Sequence, residues 1–145
     1  MTPVPTPIEK CMSTVLFVAA PKETIADAAR RMKLHSIRHM PVVDGGRVVG
    51  ILSDRDVAVV EALKSLDTSR ILVEDAMTSD PYVVDPLDSL ARVANTMAER
   101  KIGSAVVARN GQLMGLFTTT DALRVLCVVL AAANATLPPE VEAEL

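Results

Sequence analysis

Aromatic residues are almost missing from this chain, which has two Phe, one Tyr and no Trp among its 145 residues. Basic residues are also few, because 15 Lys and Arg stand against 18 Asp and Glu and give a net charge of −3. Nucleic-acid binding relies on clustered cations that contact phosphates and, for single strands, on aromatic side chains that stack on bases. We therefore expect no nucleic-acid partner, and a core built from aliphatic residues.

Cysteines and long apolar runs are scarce as well. Cys11 and Cys127 fit neither a disulfide framework nor a metal-binding spacing. Cys127 lies in the longest apolar run, residues 125–133, and is expected to be a small buried residue. That run is less than half of the roughly 20 residues that a bilayer-spanning helix needs, and the N-terminus has no apolar signal-peptide core. The sequence predicts a cytoplasmic protein with no membrane partner.

An internal repeat is the main feature that the chain does contain. A shift of 65 residues, without a gap, aligns many identical residues. The pairs include Glu9 with Glu74, Pro21 with Pro86, Met32 with Met97, Ile37 with Ile102, Gly50 with Gly115, and Asp56 with Asp121. Self-similarity at a fixed period indicates a duplicated structural unit.

The first copy predicts the element order β-α-β-β-α. A β-rich run at 15–19 precedes a helix at 24–34, whose apolar residues recur at helical spacing. Two β-runs, 40–43 and 48–52, then flank an Asp-Gly-Gly sequence that is typical of a hairpin. The last helix is expected from Ser53 to about Leu66, with Val57, Val60, Ala62 and Leu63 on its inner side.

The second copy predicts the same order, with strands at 82–84, 105–108 and 113–117 and helices at 89–100 and from Thr118. A single unit would bury only one face of its sheet. The sequence therefore predicts an α/β (α+β) fold of two pseudo-symmetric repeats packed sheet to sheet. The expected boundaries are 8–66 for the first repeat, 67–72 for a linker, 73–130 for the second repeat and 131–145 for a loose acidic tail.

One short pattern, Gly-x-x-(Ser/Thr)-x-x-Asp, occurs at the end of the hairpin in both copies, at 50–56 and 115–121. The spacing is that of a capping box, in which a hydroxyl residue and an acid three positions later close a helix N-terminus. Thr24 and Asp27 have the same spacing and are interpreted as a helix start only. The pattern at the ends of two equivalent hairpins also suits a binding site, because free amides and the helix dipole favour anions there.

The repeat resembles a known family, the tandem pair of cystathionine-β-synthase (CBS) domains called the Bateman module. The resemblance runs from about Ile8 to Leu130 and rests on residues 37–57 and 73–123. It implies two clefts related by a pseudo-twofold axis, which typically bind adenosine-containing ligands such as AMP, ADP or ATP, and sometimes S-adenosylmethionine or a dinucleotide. The ribose typically meets the hydroxyl residue and the Asp of the repeated pattern.

The resemblance implies that each cleft combines residues of both repeats. The base typically lies against the first strand and the helix-to-hairpin segment of the other repeat. One cleft would then contain Ser13, Phe17, Ile37, Arg38, His39, Thr118, Thr120 and Asp121. The other would contain Thr78, Tyr82, Ile102, Gly103, Ser104, Ser53, Arg55 and Asp56. The two clefts are chemically unequal, so we expect different affinities.

Competing interpretations remain for individual residues. Arg38, His39 and Arg55 are candidate phosphate contacts, or else ordinary surface residues. His35 and His39 stand four residues apart, but Pro41 and the change from helix to strand make a shared helical face for a metal improbable. The sequence has no recognisable catalytic nucleophile. We therefore expect neither a metal nor an enzymatic cofactor.

The sequence predicts a non-catalytic sensor that binds an adenine nucleotide as regulatory ligand and signals its occupancy to an unidentified regulated protein. An alternative is a scaffold with empty clefts that acts through its dimer surface, and another is an S-adenosylmethionine or NAD sensor. Residues 122–133 are more apolar than one helix face requires. They form either a deeply buried terminal helix or, as we prefer, a homodimer interface.

Overall fold

The computed structural model describes residues 3–14, 17–63, 65–134 and 139–142. After a short 3-10 turn at Ile8–Lys10, the elements follow in two similar series. They are α1 Ile25–Leu34, β1 His39–Asp44, β2 Arg47–Ser53, α2 Asp54–Ala62, α3 Val73–Ala76, β3 Val83–Val84, α4 Leu90–Arg100, β4 Ser104–Arg109, β5 Gln112–Thr118, α5 Thr119–Ala133 and α6 Pro139–Glu142. This order confirms the predicted mixed α and β fold.

The strands form one five-stranded sheet in the order β1-β2-β5-β4-β3. Each repeat contributes an antiparallel hairpin, β1 with β2 and β4 with β5. The two hairpins are joined at a single residue pair, Arg47 with Gln112. Elsewhere they face each other across an apolar cluster in which Ile51 of β2 meets Val106 and Leu116 of the second hairpin. The repeats thus pack through their sheets, as predicted.

Among the residues that the structure describes, three apolar clusters make up the core. The first, centred on α1 and its hairpin, includes Ile25, Met40 and Leu52, and the second includes Val93 and Phe117. Even and odd positions of a strand face opposite sides. This is why Leu52 lies in the first cluster and its neighbour Ile51 lies between the repeats.

The first residues of each repeat pack on the other repeat. Ile8 lies in the core of the second repeat, and Val73 lies in the core of the first. Backbone bridges join Ser13 to Leu116 and Thr78 to Ile51, and a shift of 65 residues converts one bridge into the other. This exchange carries Ser13 and Thr78 across to the strands of the opposite repeat.

The structure corrects several predicted elements. Of the strand expected at 15–19, residues 15 and 16 lie outside the described part of the chain, and Ala19 makes only one bridge, to Val42. The strand expected at 82–84 is limited to Val83–Val84. The helix expected to reach Leu66 ends at Ala62, because Leu63 takes an extended backbone. Ala62 and Leu63, which were expected on the inner side of this helix, are exposed.

The C-terminal region also differs from part of the expectation. α5 has no buried residue, so the interpretation as a deeply buried helix was wrong. Cys127 is exposed rather than buried, because no other element of the described chain covers this side of α5. Of the expected loose tail at 131–145, residues 131–133 belong to α5 and 139–142 form α6, and residues 135–138 and 143–145 lie outside the described residues. Within the described residues, no helix is both long and apolar enough to cross a membrane.

Candidate functional site

Two clefts lie at the junction of the repeats. The smaller, with a volume of about 470 Å³, is lined by every residue predicted for the first cleft, which are Ser13, Phe17, Ile37, Arg38, His39, Thr118, Thr120 and Asp121. The larger, of about 780 Å³, is lined by every residue predicted for the second, which are Ser53, Arg55, Asp56, Thr78, Tyr82, Ile102, Gly103 and Ser104. The structure therefore brings both predicted sets together. Their role in binding remains a prediction.

Helix N-termini place the two aspartates. Ser53 caps α2 and accepts a hydrogen bond from the amide of Asp56 at 3.1 Å, while Asp56 Oδ2 accepts one from the Ser53 amide at 2.8 Å. Thr118 and Asp121 form the same capping box at the start of α5, with 2.8 Å between the Thr118 amide and Asp121 Oδ2. The capping interpretation of the repeated pattern is therefore correct.

Capping leaves part of each carboxylate available. The structure records no hydrogen bond to Asp56 Oδ1 from any described residue. Asp121 Oδ1 lies 3.6 Å from an Arg124 guanidinium nitrogen, an ion pair whose arginine side chain is 76% exposed. Since an ionised carboxylate accepts several hydrogen bonds, Asp56 and Asp121 can each cap a helix and accept hydroxyl donors from a ligand.

Thr24 and Asp27 show what the same spacing does outside a cleft. The Thr24 hydroxyl accepts from the Asp27 amide at 3.2 Å, but the Asp27 carboxylate pairs with Arg30 at 2.7 Å instead of closing the box. Neither residue lines the clefts described above. Thr24 is thus a helix cap only, as the sequence predicted.

Gly50 and Gly115, the glycines of the repeated pattern, lie in close contact with the segment exchanged from the other repeat. A Cβ on Gly50 would lie 2.7 Å from the Thr78 carbonyl oxygen and 2.6 Å from Met77 Sδ. A Cβ on Gly115 would meet Met12 and the Ser13 carbonyl oxygen. In both repeats the absence of a side chain at the glycine leaves room for the exchanged segment, and this segment contributes Ser13 or Thr78 to a cleft.

The wall between the clefts consists of Arg38, His39 and Thr119, each of which lines both of them. The sequence had assigned Arg38 and His39 to the smaller cleft alone. The His39 imidazole packs on Gly103, where a Cβ would come within 2.9 Å of Nε2. Burial lowers the pKa of His39 and Arg38 lowers it further, whereas Asp54 and Asp56 act in the opposite direction.

Sequence reasoning missed several cleft residues. The smaller cleft also contains His35, Ser36 and Arg124. The larger one also contains Asp54, Asp80, Arg100 and Lys101. A usable signal was present for His35 and Arg100, because both are at the C-terminal end of the first helix of their repeat and are 65 residues apart.

Metal ligands were not expected, and the described residues include no group of three or more His, Cys, Asp or Glu side chains placed to hold an ion. His35 is the C-cap of α1 and stacks on Phe17, while His39 belongs to β1 and packs on Gly103. The two imidazoles are therefore held in different contacts.

Two similar repeats, each with a helix, a β-hairpin and a second helix, together with the exchanged N-terminal segments and the paired clefts, define a tandem CBS-domain module. The family model for the CBS domain matches residues 8–62 and 73–128, and the chain belongs to this family.

Similar proteins include both small and much longer chains. The CBS domain-containing protein YhcV of Bacillus subtilis is 28% identical over 114 residues, which cover 79% of this chain and 81% of YhcV. An inosine-5′-monophosphate dehydrogenase of Korarchaeum cryptofilum is 35% identical over 107 residues, but the match spans only 21% of the dehydrogenase.

The similar structures include complexes with adenosine compounds. The CBS domain pair of protein MJ0100, in complex with 5′-methylthioadenosine and S-adenosyl-L-methionine, is 25% identical and has a TM-score of 0.74. The match covers 83% of this chain and 99% of that one. Both compounds contain adenosine.

Proposed function

We propose that this chain is a non-catalytic regulatory module that binds adenosine-containing ligands, with AMP, ADP and ATP as the preferred candidates, in its two clefts. The observation that carries the proposal is the composition of each cleft. Each cleft combines a capped Ser/Thr-x-x-Asp helix start from one repeat with a helix-to-hairpin segment and an aromatic residue before the first helix of the other. The ligands in the MJ0100 structure support the adenosine part of the proposal.

Each part of the ligand has a matching part of the cleft. The carboxylate oxygen that the capping box leaves unused, Oδ1 of Asp56 or Asp121, suits the ribose hydroxyls, because a charged acceptor forms strong hydrogen bonds. Arg38 and Arg55 suit the phosphate groups, since the guanidinium group matches phosphate geometry. A ligand held in this way contacts both repeats at once, so its binding shifts the equilibrium towards one relative arrangement of the repeats. A partner protein would read that arrangement.

A thermal unfolding screen with AMP, ADP, ATP, S-adenosylmethionine and NAD tests the proposal. A ligand at a hundredfold excess over its Kd stabilises the folded chain by about 2.7 kcal/mol, which corresponds to roughly 8–10 °C in Tm. Asp56→Ala and Asp121→Ala should each remove the response of one cleft. Asp27→Ala is the matched control, since it changes an aspartate at the same helix position outside both clefts.

The results of this screen separate the proposed sensor from the alternative scaffold. Stabilisation by an adenosine ligand that survives Asp27→Ala and decreases in the cleft variants supports a sensor. If none of the five compounds raises Tm at millimolar concentration, the sensor proposal fails and the scaffold remains.

The proposal includes a homodimer formed through α5. Leu123, Leu126, Val129 and Leu130 share one side of α5 and are 61%, 50%, 56% and 37% exposed, although α5 has 15 residues and is strongly apolar. An exposed apolar face of this extent is typical of an interaction surface. A second copy offers the same face, and pairing of identical faces is the commonest form of oligomer.

Sedimentation equilibrium tests the dimer. The unmodified chain should sediment as a dimer at micromolar concentration, and the double variant Leu126→Glu/Val129→Glu should sediment as a monomer. Leu87→Glu is the matched control, because Leu87 is 65% exposed but lies before α4. A monomeric unmodified chain would refute this part of the proposal and leave the ligand-binding part intact.

A further inference from the structure

A stacked pair of side chains forms part of the wall of each cleft. In the smaller cleft, the Phe17 ring lies against the His35 imidazole, with 3.7 Å between the centroids and 11° between the planes. In the larger cleft, the guanidinium carbon of Arg100 lies 5.2 Å from the centroid of the Tyr82 ring. All four residues line their clefts. A shift of 65 residues converts Phe17 to Tyr82 and His35 to Arg100, so the two pairs occupy one position of the fold.

The backbone explains the position of the residue that covers each aromatic ring, which is His35 in the smaller cleft and Arg100 in the larger. His35 follows the last residue of α1, and Arg100 is the last residue of α4. The next residues, Ser36 and Lys101, have left-handed backbones with φ of 52° and 55°. This conformation ends the helix and turns the chain towards the hairpin. The covering residue is consequently left exposed at the rim of the cleft.

The aromatic residue of each pair is the inner layer. Phe17 and Tyr82 are partly buried and pack against the first and second core clusters, whereas His35 and Arg100 are exposed. The outer layer of the stack is therefore an imidazole in the smaller cleft and a guanidinium group in the larger. A ligand base that approaches either stack meets this outer layer.

The two outer layers differ in charge. An arginine side chain is always cationic and carries five hydrogen-bond donors, and its plane stacks on aromatic rings. It can contact a base and attract a phosphate group at the same time. In the larger cleft it adds to the cations Arg38, Arg55 and Lys101, which stand beside the carboxylates of Asp54, Asp56 and Asp80. An imidazole offers a stacking surface without a permanent charge.

We propose that His35 and Arg100 are specificity-determining residues of the two clefts. Arg100 gives the larger cleft a preference for adenosine ligands that carry phosphate groups, and His35 makes the smaller cleft less selective for phosphate. This inference rests on the proposed function and specifies which class of adenosine ligand each cleft accepts.

Exchange of the two residues tests the inference. Asp121→Ala keeps the ribose-binding aspartate of the larger cleft only, and Asp56→Ala keeps that of the smaller cleft only. Isothermal titration with adenosine and with ATP then gives the preference of one cleft at a time. In the Asp121→Ala chain, Arg100→His should lower the affinity for ATP about fivefold and the affinity for adenosine less than about twofold. The difference is the effect of one partly exposed charge pair. In the Asp56→Ala chain, His35→Arg should strengthen ATP by a similar factor.

Two control variants make the same change of charge outside the clefts. Arg92→His changes an exposed arginine of α4, and Leu34→Arg adds a cation beside His35 at a position that is 74% exposed. Neither should alter the ratio of the two affinities. Arg100→Gln is a second test of the larger cleft, with the same expected loss for ATP, and thermal unfolding verifies that each variant folds.

The inference is overturned if the ratio of ATP to adenosine affinity stays constant in Arg100→His, Arg100→Gln and His35→Arg while the parent chains bind. It is also overturned if Arg92→His reproduces the effect of Arg100→His, because the effect would then depend on net charge alone. The proposed function stands in both cases. If the unmodified chain binds neither adenosine nor ATP, the nucleotide-sensor assignment and this inference are both refuted.

Discussion

The two equivalent glycines of the repeated pattern should respond differently to the same substitution, Gly→Ala. At Gly50 the new Cβ would lie 2.7 Å from the carbonyl oxygen of Thr78, a backbone atom, and 2.6 Å from Met77 Sδ. Ordinary contacts between non-bonded heavy atoms require about 3.5 Å. At Gly115 the closest atoms belong to the flexible Met12 side chain, and the nearest backbone atom, the Ser13 carbonyl oxygen, is 3.1 Å away.

Relief of the clash is costly only at Gly50. The Thr78 carbonyl accepts from the Ile51 amide at 3.0 Å, and the Thr78 amide donates to the Ile51 carbonyl at 2.9 Å. Moving Thr78 weakens both bonds, each worth about 1 kcal/mol, in addition to about 1–3 kcal/mol for overpacking. The lower entropy of the unfolded alanine chain offsets about 0.4–1 kcal/mol. We expect Gly50→Ala to lose about 2–3 kcal/mol, and Gly115→Ala to lose about 1 kcal/mol or less.

Equilibrium unfolding in urea at 25 °C measures both values. A second substitution sharpens the comparison, because Met12→Ala removes the obstacle to Gly115→Ala, whereas Met77→Ala leaves the Thr78 carbonyl in place. The favourable coupling energy between Gly115→Ala and Met12→Ala should therefore be larger than that between Gly50→Ala and Met77→Ala. Equal losses for the two glycine variants, or a neutral Gly50→Ala, would refute the assigned role of the exchanged backbone.

Two further predictions concern pH and the hairpin turn. Burial lowers the folded-state pKa of His39, so the unfolded chain binds a proton more readily. The contribution of His39 to the free energy of unfolding is therefore fully present above the ordinary histidine pKa of about 6.5 and is lost as pH falls through the folded-state pKa. Urea unfolding of His39→Gln should show a flatter dependence of this free energy on pH in that range, and an unchanged dependence would contradict the prediction. Gly46 has φ of 81° and no atom within 4 Å of an added Cβ, so Gly46→Ala should lose about 1 kcal/mol through backbone strain alone. Gly45→Asn should be nearly neutral, since Asn110 has the same conformation in the second repeat; a loss equal to that of Gly46→Ala would contradict it.

The repeat explains why so much of the site was predictable from sequence. Residues that are 65 positions apart occupy equivalent places, so Asp56 and Asp121 had to lie at equivalent helix starts. The family resemblance then supplied the crossed pairing of repeats. The backbone exchange that accomplishes this pairing, through Ser13 and Thr78, is a tertiary contact with no local sequence signal.

The errors have physical reasons of the same kind. An apolar run such as that of α5 has the same composition whether it is buried in its own chain or exposed, so the exposure of Cys127 could not be read from hydropathy. α2 stops at Ala62 because tertiary packing ends there, and helix propensity does not record this. The covering roles of His35 and Arg100 depend on left-handed residues that are not glycine, which sequence patterns rarely reveal.

The most direct test of the central claim compares AMP and ATP with their 2′,3′-dideoxy forms by isothermal titration. In the proposed binding mode the ribose hydroxyls donate to Asp56 and Asp121, and a hydrogen bond to a charged group contributes about 1.5–3 kcal/mol. The dideoxy forms should therefore bind the unmodified chain at least about tenfold more weakly. In Asp56→Ala/Asp121→Ala the ribo and dideoxy forms should bind equally weakly. Equal affinities of the ribo and dideoxy forms for the unmodified chain would contradict the proposed hydrogen bonds between the ribose hydroxyls and the two aspartates.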